Sequence, residues 1–187
     1  MDHFIESINI CLRNKNYYAA LTLVLTIPDI CSSIEHSESG GKKYADWFDV
    51  YVGAKYKTEY SEDLLRTVRE HLSEDDYKSL SCGSSLLGSD CYALRCSLLH
   101  QGISEISHQR AREVLNKINF IEPNPAINIH KSIKNNVLNV HIDIFCEDII
   151  EAYHNWKNDL IGEQLERFNN ILLIENVFKS NMFRPIS

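Results

Sequence analysis

An arginine and a histidine stand five positions apart in "CYALRCSLLHQG", residues 91–102. Arg95 offers a permanently charged, planar fork of donors suited to phosphate oxygens. His100 titrates near neutrality and can move a proton. Together they are a minimal kit for cleaving RNA without a metal. One group activates the ribose 2'-hydroxyl or protonates the leaving oxygen, and the other stabilises charge on the phosphate. On a helix the two lie about 140 degrees apart around the axis, so they do not share a face squarely. A fraying helix end, or a second copy of the chain, can bring them onto one anion. The same residues also have a structural reading. Arg95 then sits in an ion pair, and His100 lies near a helix C-terminus, where the dipole favours cations.

Other residues offer weaker chemistry. Arg110 and Arg112, in "HQRARE", could extend a positive patch toward RNA or could be solvated surface charges. Cys91, Cys96 and His100 match no closed zinc spacing, and a fourth ligand such as Cys82 would have to come from afar. Buried small hydrophobes are the better account of these cysteines. His130 and His141 show no metal spacing either. Tyr44, Trp47 and Phe48 could stack on bases, but their spacing of three and four is that of a core face. No glycine-rich phosphate loop, HExxH or GxSxG is present. Neither a metal nor a cofactor is expected.

The elements that must position these residues follow from periodicity. Phe4, Ile5, Ile8, Cys11 and Leu12 predict a helix over 3–14, with Asp2 as a cap. Residues 14–36 are apolar on nearly every side and predict a buried helix that Pro28 kinks or splits. A third helix carries Tyr44, Trp47, Phe48 and Tyr51. Another follows Ser61, lined by Leu64, Leu65, Val68 and Leu72. The helix of Arg95 should start at Ser89 or Asp90 and stop at Gly102. From about 114 to 142, alternation in "VLNKINFIEP", "AINIHKS" and "VLNVHIDIF" predicts a small antiparallel meander of two or three strands. Helical spacing returns from Cys146, and a last helix is expected over 162–180.

The chain has 187 residues, enough for a single domain over 1–187. Its net charge of −7 argues against general coating of nucleic acid, though not against one local phosphate site. Six cysteines are scattered widely. The opening residues lack a basic n-region and an apolar h-region, so no secretory leader is expected. "AALTLVLTI" is too short to cross a membrane. These features predict a cytoplasmic chain with reduced thiols and no membrane partner.

The stretch "LRCSLLHQG" resembles the signature of the HEPN superfamily: an arginine, usually a polar residue after it, and a histidine a few residues on, often running into a glycine. Here these are Arg95, His100 and Gly102, with Leu94, Leu98 and Leu99 at the apolar positions. The resemblance implies a mainly α, HEPN-like helical bundle that dimerises, bringing two motifs into one cleft. It implies a metal-independent endoribonuclease of a toxin–antitoxin or defence system, with RNA and a protein antitoxin or defence partner as ligands. Arg95 would position the scissile phosphate, and His100 would act as general acid or base. The alternative within the same family is an inactive dimerisation and partner-binding module. Cys96 stands where active members often carry Asn, Asp or His, and Gly102 stands where one toxin subgroup carries a tyrosine.

Overall fold

The computed structural model describes residues 1–58, 61–71, 73, 74, 77, 84–99, 105–124, 126, 129–135 and 137–170. Helices dominate: α1 (Asp2–Arg13), α2 (Tyr17–Val24), α3 (Ile27–His36), α4 (Gly41–Tyr51), α5 (Glu62–Val68), α6 (Gly88–Leu99), α7 (Glu105–Leu115), α8 (Ile142–Asn158) and α9 (Gly162–Asn169). Lys57–Thr58 and Ser84–Ser85 form a short antiparallel pair, β1 and β2. A second sheet contains β3 (Ile118–Ile121), β4 (Ile133–Lys134) and β5 (Val137–His141), in the order β3-β5-β4.

The mainly α expectation with a small β element is borne out. The strand arrangement is not the expected antiparallel meander. β4 pairs antiparallel with β5, but β3 runs parallel to it, with Ile118 opposite Leu138. Parallel strands need a crossover of about a dozen residues or more. The chain between Ile121 and Val137 supplies that length. The strand expected to continue through "HIDIF" instead ends at His141, because Ile142, Phe145, Cys146 and Ile149 are all buried at helical spacing in α8. Val114 and Leu115 likewise belong to α7 rather than to a strand.

The break before Pro28 falls where proline demands it. α2 ends at Val24, and Pro28 occupies the first turn of α3, where its missing N–H costs nothing. Thr26 Oγ1 donates to Leu23 O, and Tyr44 Oη donates to Leu25 O at 2.9 Å. The Tyr44 bond uses a carbonyl that the break leaves without a helical partner, whereas Leu23 O also accepts from Thr26 N–H. Within Tyr17–His36 an 18-residue window has a mean hydropathy of 1.4, enough by length and composition alone to cross a membrane. That corrects the expectation that no such stretch exists. Half of it is nonetheless buried inside the fold.

The core joins α4 and α8. Trp47 and Trp156 meet edge to face at 6.4 Å, with Tyr44, Phe48, Phe145 and Tyr153 fully buried around them. Tyr44, Trp47 and Phe48 are therefore core residues. Trp156 Nε1 donates to Glu35 Oε1 at 2.7 Å, tying α8 to α3. Arg167 of α9 donates to the carbonyls of Ile34 and Glu35, which end α3 before Ser37 turns left-handed at φ 59°. Trp156→Phe is expected to destabilise the fold by about 2 kcal/mol, because it opens a gap and strips Glu35 of its donor. Denaturant unfolding checks this.

One helix differs from its sequence reading, and another is described only in part. Ser61 caps α5 as expected, its Oγ accepting from Leu64 N–H. Leu64 is exposed, however, and Leu65 and Val68 are only half-buried, so α5 has no buried side chain. α9 is described only to Asn169, and the rest of the helix expected to 180 lies outside the described residues, as does Leu72.

Candidate functional site

α6 carries Arg95. Its start is fixed by two carboxylates. Asp49 Oδ1 of α4 accepts from Gly88 N–H at 2.7 Å, and Asp90 Oδ2 accepts from Leu87 N–H. Gly88 has to be glycine. A β-carbon there would lie 2.3 Å from the Ala45 carbonyl oxygen and 2.6 Å from Ala45 Cα. α6 therefore presses backbone to backbone on α4. Cys91, Ala93 and Leu94 face the core, while Leu98 is half-buried and Leu99 is exposed. The helix is described to Leu99. His100, Gly102 and Cys82 lie outside the described residues, so the geometry of the Arg95–His100 pair does too.

Arg95 points at α3. Its Nη2 donates to Asp29 Oδ2 at 2.6 Å, and the two side chains are 17% and 24% exposed. Asp29 lies in the first turn of α3, where the helix dipole favours a carboxylate. The sequence alone offered an ion pair for Arg95 without fixing its partner. Asp29 was missed because it lies 66 positions away. Tyr44 and Tyr92 flank the pair, their rings 5.3 Å apart. A hydrogen bond with Cys96, and then burial, pushes the Tyr92 phenol up, and burial pushes up that of Tyr44. Burial likewise raises the thiols of Cys31 and Cys91, and that of Cys146 to about 12. These three cysteines stay protonated and inert at neutral pH.

The two arginines read as RNA contacts sit on α7. Arg110 donates to Asp90 Oδ1 at 2.6 Å and lies 3.7 Å from Glu113. Two carboxylates thus offset its charge. Arg112 is exposed on the same helix. The positive patch imagined there is largely cancelled at Arg110. Cys91 is buried and Cys96 half-buried, and among the described residues no three His, Cys, Asp or Glu side chains gather to hold a metal.

A second polar cluster escaped sequence reasoning. Asp148 of α8 accepts from Tyr56 Oη and from Lys55 Nζ, both at 2.8 Å, and Glu151 accepts from the same lysine at 2.7 Å. The ring of His130 lies edge to face with Tyr56 at 6.0 Å and with His141 at 6.0 Å. His141 N–H donates to His130 Nδ1 at 3.1 Å, which leaves that nitrogen unprotonated and the ring neutral. Burial, aided by Lys131, lowers the pKa of His130 from 6.5. The partners are about 90 positions apart in sequence, so no local spacing announces them.

This cluster has a pH signature. The unfolded chain binds a proton at His130 before the folded chain does, so folding stability falls as pH drops below 6.5 toward the lower folded value. The loss of Tm between about pH 7.5 and about pH 5.5 should be smaller in His130→Gln than in the parent. Equal losses would remove His130 from the account.

The comparisons add no relative: no protein-family model, curated protein or solved structure matches this chain.

Proposed function

We propose that the chain is a HEPN-like dimerisation and partner-binding module of the cytoplasm rather than a nuclease. The observation that carries this reading is the half-buried ion pair of Arg95 with Asp29, at 2.6 Å. An arginine engaged by a carboxylate inside the fold is already neutralised, and a phosphate would have to displace that carboxylate. The pairing of Arg110 with Asp90 and Glu113, and the net charge of −7, point the same way. A labelled RNA pool incubated with the chain in EDTA should remain intact, while light scattering should report a homodimer. Cleavage that leaves 2',3'-cyclic phosphate ends, and that is lost in well-folded Arg95→Ala and His100→Ala, would overturn the proposal.

One observation favours the second reading, a metal-independent endoribonuclease with a composite site at a homodimer cleft, in a defence or toxin–antitoxin setting. Arg95 keeps 17% of its side chain exposed, on the last turns of α6 before His100. On that reading RNA is the substrate, and Asp29 positions the guanidinium. The same cleavage assay separates the two.

A further inference from the structure

Among the described residues β3 is an end strand of its sheet and pairs with β5 alone. Leu138 N–H donates to Lys117 O at 2.7 Å, which sets the alternation of the ladder. In a parallel pair, successive residues turn their peptide groups alternately toward and away from the partner. Lys117, Asn119 and Ile121 therefore address β5, and the peptide groups of Ile118 and Phe120 point outward. Among the described residues those outward groups make no other backbone hydrogen bond.

The outward edge borders a cavity of about 500 Å³. Five consecutive residues, 118–122, line it. Neighbouring strand residues point to opposite faces, so a run of five can line one space only along the strand's edge. The facing wall is apolar, built from Tyr17 and Leu21 of α2 and Leu94 and Leu98 of α6. A small apolar molecule would fit the wall but would leave the strand's donors and acceptors bare, and desolvated peptide groups need partners. An extended peptide satisfies both surfaces.

Charge narrows the peptide's chemistry. Lys15 and Glu122 both line the cavity and are exposed, and among the described residues neither is in an ion pair. Lys15 is held at φ 57° in the turn before α2, and Glu122 follows the last residue of β3. A segment with one acidic and one basic residue around an alternating apolar stretch complements both.

We propose that the β3 edge takes a partner's extended peptide as a fourth strand, with apolar side chains entering the cavity and charges of both signs meeting Lys15 and Glu122. The inference deepens the partner-binding reading by naming the surface and the kind of partner. The first probe is a fluorescent heptapeptide, Lys-Val-Thr-Val-Thr-Val-Glu, titrated against the full chain by anisotropy. Its twin carries N-methyl groups on alternate residues of the strand-forming edge. Saturable binding is expected, weakened at least tenfold in the twin and severalfold by Lys15→Glu. Hydrogen exchange at the Phe120 amide should slow at least tenfold when the peptide is bound. Equal binding of peptide and twin, unchanged Phe120 exchange, or no binding at all would overturn strand addition. The RNA assay stands apart: a chain that cleaves RNA yet binds the peptide sinks the module reading and keeps this one. A chain that does neither keeps the module reading and loses this one.

Discussion

Arg95→Ala is expected to unfold about 6–12 °C below the parent chain, a loss of about 3 kcal/mol. The substitution strands Asp29 between helices with its carboxylate largely out of water. The cost therefore includes an uncompensated charge as well as a lost bond. Asp29→Ala in the Arg95→Ala background should restore part of the loss, because the orphaned charge leaves with it. A coupling energy of about 1–2 kcal/mol in the double-mutant cycle would be ordinary for residues in contact. Thermal unfolding of the four chains measures it. An Arg95→Ala chain as stable as the parent would mean that the Asp29 contact contributes nothing to folding. The module reading would then lose its main support, since residues kept for chemistry are often neutral or costly to stability.

The second large effect belongs to Gly88→Ala. One methyl group placed 2.3 Å from the Ala45 carbonyl oxygen cannot be accommodated without moving backbone. Because the clashing atoms are all backbone atoms of Ala45, the strain is expected to cost about 3 kcal/mol, the upper part of the overpacking range. The start of α6 would retreat from α4, weakening the bond from Gly88 N–H to Asp49. The Arg95–Asp29 pair, further along the same helix, would lose register with α3. Denaturant unfolding gives the stability, and the coupling between Arg95 and Asp29, remeasured in the Gly88→Ala background, should shrink. A normal stability would show that the helices slide apart easily.

Both effects concern contacts that the sequence does not announce, whereas the elements themselves were largely legible. Apolar spacing placed α1, α4 and the start of α6 to within a few residues, because a helix that buries one face repeats its apolar positions at a period near 3.6. Pro28 announced the break between α2 and α3 through its missing N–H. Reading failed where periodicity is short or ambiguous. Ile142 and Ile144 alternate like a strand, yet Ile142, Phe145 and Cys146 turn inward as a helix. α5 has the apolar stripe of a core helix but buries none of it fully.

What the sequence determined by itself is a helical chain with a small β element after residue 114 and an arginine on a mid-chain helix. Each of these is written in local propensity and spacing, which act over a few residues. Tertiary structure alone decided that Arg95 faces Asp29, that Arg110 faces Asp90, that Tyr56 and Lys55 meet on Asp148, and that β3 runs parallel to β5 with its outer edge on a cavity. These contacts join residues from about 20 to more than 90 positions apart. They arise only when packing brings distant groups together, and the more of a charge or donor it buries, the more that group needs a partner.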